Sequence, residues 1–255
     1  MIYCISNQKG GVGKSTTAQC LAAGLVRRGR KVLMIDLDAQ GNTSGTLQAD
    51  KTKPTAFDLL TFNAPLQSCI QCTPMDGLFL IAGSQELQKI EQMLVDTGRE
   101  YRLKEILKNV RFDDVVIDTP PAVSVLTSNA LTAANTVVVP TQATDYSIDA
   151  VKYMYKTVAA IQQYTNKTLT IAGILLTRHA GKSRISRDAA EALRVVAEKM
   201  RTRVFAAVIP ESCKVQNAQN KKKDLFSFAP KDKAAIAYNA FIDELLSLNK
   251  KGNKK

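Results

Sequence analysis

Six residues, Gly10, Gly11, Val12, Gly13, Lys14 and Ser15, constrain this chain more than any others. They stand between the apolar run "IYCIS" (Ile2 to Ser6), which reads as a strand, and "KSTTAQCLAAGLVRRG", which reads as a helix stopping at Gly29. Glycines in that place let backbone N–H groups turn inward toward an anion, and the helix directs its positive end to the same point. Strand, glycines, Lys-Ser and helix in this order make a phosphate-binding loop. Gly10 to Thr16 form the cradle, Lys14 reaches the terminal phosphates, and the Ser15 hydroxyl sits on Mg2+. A dinucleotide fingerprint is excluded, because the G-x-G-x-x-G spacing fails at Thr16 when counted from Gly11 and at Ser15 when counted from Gly13. Two departures from the usual loop stand out: Gln8 occupies the place of its first glycine, and Lys9 adds a second lysine.

The rest of the chain repeats the same alternation. "VLMID" (Val32 to Asp36), "LFLIA" (Leu78 to Ala82), "DVVID" (Asp114 to Asp118), "TVVVP" (Thr136 to Pro140), "LTIAGILLT" (Leu169 to Thr177) and "RVFAAVIP" (Arg203 to Pro210) read as strands buried on both faces. "REYRLKEILKNV", "SIDAVKYMYKTVAAIQQY" and "RDAAEALRVVAEKM" carry apolar residues at helical spacing. The fold class is therefore α/β: a doubly wound, mostly parallel sheet flanked by helices. No linker interrupts the pattern, so residues 1–249 are expected to form a single domain, with 250–255 a lysine-rich disordered tail. The stretch from Thr46 to Asp76, with Pro54, Pro65 and Pro74, is the least regular and reads as a small helical excursion.

With 255 residues and 45% apolar composition the chain can bury a sizeable core. No run approaches the roughly 18 apolar residues of a membrane span, and the chain opens on a strand, so a cytoplasmic protein is expected. Five scattered cysteines do not form a disulfide framework, and "CIQC" (Cys69 to Cys72) has no second pair. The charge is +12, and the residues from Arg201 onward hold 12 Lys and Arg against 5 Asp and Glu. That bias suggests a polyanionic partner.

A Mg2+-nucleotide site needs carboxylates at neighbouring strand ends. "VVIDTPP" supplies Asp118, expected in the metal shell, and "DLDAQGN" places Asp36 and Asp38 at the carboxyl edge of the next strand, facing the same way across Leu37.

Together "KGGVGKSTT", "LMIDLDAQGNTS" and "DDVVIDTPPAVSVLTSNAL" resemble the deviant Walker motifs of the ParA/Soj partition ATPases, in the larger P-loop NTPase group that includes MinD and the nitrogenase iron protein. The resemblance runs from Met1 to about Leu248. It implies an ATP-dependent sandwich homodimer in which Lys9 crosses the interface to the partner's phosphates and Lys14 serves its own nucleotide. It further implies that Asp38 orients the attacking water and that Ser15, Asp36 and Asp118 lie at the magnesium. Gln142 and Asp145 would lie near the site, and Thr177, Arg178, Pro210 and Glu211 match the adenine contacts.

Three outputs can follow from such a switch. In ParA/Soj proteins the ATP dimer binds DNA nonspecifically, associates with the nucleoid, and is released when a ParB-like adaptor protein stimulates slow hydrolysis. Lys214, Lys221, Lys222 and Lys223, with Arg184 and Arg187, are the candidate DNA contacts. The alternative is a MinD-like ATPase that positions a partner on the membrane. It is disfavoured because "YNAFIDELLSLNKKGNKK" puts Asp243 and Glu244 on the polar side and its lysines only after the helix. Electron transfer as in the nitrogenase iron protein is disfavoured because neither Cys69 nor Cys72 falls after the strands that would hold a cluster. No helix-turn-helix precedes the first strand, and site-specific DNA reading is not expected.

Overall fold

The computed structural model describes residues 1–144, 147–179 and 184–252, the side chains of 184–187 and 249–252 excepted. β1 (Ile2–Ile5), β2 (Val32–Asp36), β3 (Ile70–Cys72), β4 (Leu78–Ile81), β5 (Asp114–Asp118), β6 (Thr136–Thr141) and β7 (Thr170–Leu176) join in one sheet, ordered β3-β4-β2-β5-β1-β6-β7. Every pairing is parallel except that of β3 with β4. The connections between strands carry α1 (Lys14–Val26), α2 (Asn42–Thr46), α3 (Ala56–Leu60), α4 (Leu66–Cys69), α5 (Ile90–Met93), α6 (Arg102–Leu107), α7 (Val125–Ala133) and α8 (Ser147–Tyr164), and α9 (Arg184–Lys199) follows β7. After β7 come α10 (Cys213–Asn220), α11 (Leu225–Phe228) and α12 (Lys233–Gly252).

Because side chains alternate along a strand, an unbroken apolar run feeds two cores at once. Tyr3 and Ile5 of β1, Met34 of β2 and Val116 of β5 pack with Leu21 and Leu25 of α1 and Phe241 and Ile242 of α12. Cys4, Ile35 and Ile117, their neighbours in sequence, pack on the other face with Leu131 of α7 and Met154 of α8. The sheet is thus covered on both faces, as the alternation predicts.

Three expectations need correction. "RVFAAVIP" is not a strand: it touches the sheet only at isolated parallel bridges, Ile174 with Val204 and His179 with Pro210. The Ala206 and Ala207 N–H groups donate to the Glu244 carboxylate of α12, so residues between Phe205 and Ile209 leave the ladder and Ile209 rejoins it at the Leu176 carbonyl. The stretch Thr46 to Asp76 holds α3 and α4 but also β3, a three-residue antiparallel edge strand. Finally, α12 runs on to Gly252, so Lys250 and Lys251 stand inside the helix instead of after it, and residues 253–255 lie outside the described residues.

Candidate nucleotide site

The carboxyl ends of β1, β2 and β5 lie side by side, with Ile5 in register with Asp118 and Asp118 with Asp36. The chain leaves β1 and turns through Gly11 (φ 73°) and Gly13 (φ 81°), left-handed conformations that a Cβ would strain, before α1 begins at Lys14. Loop and sheet are stitched together by Asn7, whose amide donates to the Pro140 carbonyl (2.7 Å), and by Thr177, whose hydroxyl donates to the Val12 carbonyl (2.8 Å).

A cavity of about 910 Å3 opens over this loop, within the range of small-molecule sites. Its lining combines Gly10, Gly11, Gly13, Lys14, Ser15, Thr16 and Asp38 with Thr177, Arg178, Pro210 and Glu211. Residues more than 160 positions apart thus converge on one space. Arg178 adopts φ 48° and spans the cavity wall, donating to the Gly11 carbonyl (3.4 Å) and pairing with Glu211 (3.0 Å). Val12 is fully buried under the loop and contributes its carbonyl to Thr177 instead of lining the space.

The two lysines diverge. Lys14 is buried, and its ammonium donates to the Lys9 carbonyl (3.2 Å). Burial holds its pKa below the ordinary lysine value, against the opposing pull of Asp118 and Asp38. Lys9 is half-buried, lies outside the cavity lining, and donates its ammonium to the Thr144 hydroxyl (3.1 Å).

The carboxylates divide their duties as well. Asp36 is fully buried and spends Oδ2 on the Ser44 N–H and hydroxyl (2.9 and 2.7 Å) and Oδ1 on the Asp38 N–H (3.1 Å). Asp38 holds the Gln40 N–H (3.0 Å) while lining the cavity. Asp118 accepts from the Thr43 hydroxyl at Oδ2 (2.8 Å), but its buried Oδ1 has no hydrogen-bond partner. Burial and the charge of Asp36 push the Asp118 carboxyl up to about 8, although the nearby Ser15 and Thr43 hydroxyls favour the ionised form. A buried carboxylate oxygen left unpaired beside a serine hydroxyl and an ammonium suits a small hard cation, so the donor set fits Mg2+. Among the described residues no group of three or more His, Cys, Asp or Glu could hold a metal ion.

Of the other predicted residues, Gln142 reaches the Gly11 carbonyl at 3.5 Å, while Asp145 lies outside the described residues. Lys214, Lys221, Lys222 and Lys223 are all exposed, and Lys222 also lines the cavity. Arg184 and Arg187 belong to α9, but their side chains lie outside the described residues. Cys69 ends α4 and Cys72 ends β3 at the sheet edge, both as free thiols. Sequence reasoning missed Thr43 and Ser44, which ligate the two buried carboxylates. Their signal was present in "DLDAQGNTS", where two hydroxyls follow the acids at the start of a helix.

Comparisons with known proteins agree with this geometry. Residues 1–171 match the family described as an AAA domain. The sporulation initiation inhibitor protein Soj of Bacillus subtilis is 34% identical over 242 residues, covering 93% of this chain and 94% of that protein. The chromosome partitioning protein ParA of Myxococcus xanthus is 33% identical, covering 96% and 87%. Among solved structures, cobyrinic acid a,c-diamide synthase of Mycobacterium smegmatis with a bound ATP analogue and magnesium superposes with a TM-score of 0.85 at 34% identity, covering 98% of this chain and 96% of that one. Full-length similarity to the partitioning proteins, on a sheet that carries both the two-lysine loop and the carboxylates at its strand ends, shows that the chain belongs to the ParA/Soj family of partition ATPases.

Proposed function

We propose that this chain is a DNA-partition switch. It hydrolyses ATP with Mg2+, closes a homodimer around ATP, binds duplex DNA nonspecifically in that state, and is released when a ParB-like adaptor stimulates hydrolysis. The observation that carries this reading is the divergence of the two lysines: Lys14 lines its own cavity, whereas Lys9 points its ammonium elsewhere, to Thr144. A cation supplied across an interface acts on the transferring phosphoryl group only when two subunits meet, which makes hydrolysis slow in the monomer and assembly a readout of nucleotide state.

Ser15 and Asp118 would hold Mg2+, with Asp36 behind them fixing the loop that carries Asp38. When bound, Mg2+ neutralises charge on the phosphate oxygens. Glycine N–H groups and Lys14 hold the triphosphate, Asp38 orients the attacking water, and Thr177, Arg178, Pro210 and Glu211 enclose the base. Lys214 and the Lys221–Lys223 turn stand beside the same cavity on α10 and its end, where a closed dimer would align two basic patches. DNA held by such phosphate contacts supports a nucleoid-associated, cytoplasmic protein. A membrane-seeking output would need a free apolar face on α12, yet Phe241, Ile242 and Leu245 are completely buried, and no helix among the described residues is long and apolar enough to cross a membrane.

A gel-shift assay on arbitrary duplex DNA tests this. ATP with Mg2+ should give a shift, ADP should abolish it, and Lys214→Ala or a combined Lys221/Lys222/Lys223→Ala change should weaken it, with a salt slope of about −0.9 per neutralised phosphate. Equal binding without nucleotide would refute the switch, and ATP-dependent binding to anionic vesicles without DNA binding would favour the MinD-like alternative.

A further inference from the structure

A continuous hydrogen-bonded path leads out of the nucleotide site. Asp118 Oδ2 accepts from Thr43 Oγ1 (2.8 Å), Thr43 Oγ1 accepts from Gln19 Nε2 (3.1 Å), and Gln19 Oε1 accepts from Gln219 Nε2 (3.3 Å). Gln219 Nε2 also donates to Thr16 Oγ1 at 3.1 Å. The path therefore starts on β5, crosses α2 and α1, and ends on α10, with every donor directed toward the carboxylate. Hydrogen bonds aligned in one sense polarise one another.

The far end is as closely tied as the near one. Gln219 is the penultimate residue of α10, and its own carbonyl accepts the Lys222 N–H at 2.9 Å. Lys222 holds φ 52°, a left-handed conformation in which a non-glycine residue needs support from its surroundings. Anything that shifts Gln219 must therefore shift the turn that displays Lys221, Lys222 and Lys223.

We propose that Gln19 and Gln219 are positioning residues, which carry the occupancy of the nucleotide and metal site to α10 and its lysine turn. Thr16 has one hydroxyl proton, and because Gln219 fills one of its lone pairs, that proton is left for a phosphate oxygen. A nucleotide that takes the proton makes the Thr16 oxygen a better acceptor and tightens its bond to Gln219. A cation shared with Asp118 biases the same amide through Thr43 and Gln19. Two separate inputs thus converge on one side chain at the root of the basic turn. Only the assignment of the lysines as the output rests on the DNA reading above.

The test is amide hydrogen exchange over residues 213–223 of the full chain, with and without saturating ATP and Mg2+. In the wild type the nucleotide should slow exchange there by about two- to tenfold, the ratio that one ordinary net hydrogen bond corresponds to. Gln219→Leu, which removes both inputs, should abolish that nucleotide-dependent slowing, Gln19→Leu should diminish it because only the Thr16 input remains, and the double variant should lose no more than Gln219→Leu, the mark of a shared path. A merely structural role would instead raise exchange equally with and without nucleotide. The proposal is overturned if Gln19→Leu keeps the wild-type response, or if the two losses add. Should Gln19→Leu fail to fold, Gln219→Leu decides alone, since that side chain is only partly buried near the end of its helix. Duplex DNA titrated in parallel separates the two readings: an intact exchange response without DNA binding would refute the DNA output and still support the path.

Discussion

Gly83, just beyond β4, offers a way to disturb the chemistry without substituting a residue of the cavity. Its N–H donates to the Ser44 hydroxyl (2.8 Å), which in turn binds Asp36. A methyl group added there would stand 2.9 Å from the carbonyl oxygens of both Asp36 and Asp38 and 3.1 Å from Asp36 Cγ, where ordinary contact begins at 3.4 Å. Relief requires a shift of about 0.5 Å, and the atoms in the way are backbone or belong to a fully bonded buried carboxylate, so no flexible side-chain end can yield. The backbone conformation at Gly83 itself is open to any residue, so Gly83→Ala acts by contact and not by strain. Since a misplacement of about 1 Å can cost a hundredfold in rate, half that displacement should cost about tenfold in kcat. Overpacking of about 1–3 kcal/mol should also lower Tm by roughly 2–12 °C. Phosphate release at saturating ATP and Mg2+, read beside a thermal melt, measures both. A Gly83→Ala protein with kcat within about twofold of wild type and an unchanged Tm would refute the claim that this contact sets the position of Asp38.

Lys9→Ala should bind ATP within a few-fold of wild type but lose ATP-dependent dimerisation, measured by light scattering; failure to bind nucleotide would instead place Lys9 in its own site. Asp38→Ala should bind ATP and dimerise while hydrolysing about a hundredfold less, and normal turnover would remove Asp38 from the water-orienting role. Burial raises both Asp36 and Asp118 in the folded chain, helped by the charge of Asp38 at Asp36 and by the charges of Asp36 and Asp38 at Asp118, so the native state binds more protons than the unfolded one above the ordinary carboxylate range. Stability of the nucleotide-free protein should therefore fall as pH rises through that window toward about 8, and saturating ATP with Mg2+ should flatten the fall. A nucleotide-free Tm that climbs over the same range would contradict the burial of these groups as carboxyls.

Much of the central sheet was legible because its signals are local. β1, β2, β4, β5 and β6 each appear as an apolar run of the right length, and the phosphate loop shows its glycines, its lysines and the start of α1 within a dozen residues. β3 was not legible, since three residues carry no periodicity and only the neighbouring β4 makes them a strand. "RVFAAVIP" misled for the opposite reason. Its composition favours a strand, but a single carboxylate 38 residues away, Glu244, claims the N–H groups that the ladder needed.

The amino-acid sequence by itself determined the α/β class, the phosphate loop and the acids at the strand ends, because each depends on neighbours in the chain and on the two-residue period of strands. Tertiary structure alone decided which acid keeps a free oxygen, where the Lys9 ammonium rests, and how Gln219 meets Gln19. Those outcomes turn on side chains up to 200 positions apart competing for the same donors and acceptors, and only the folded sheet brings them within hydrogen-bonding distance.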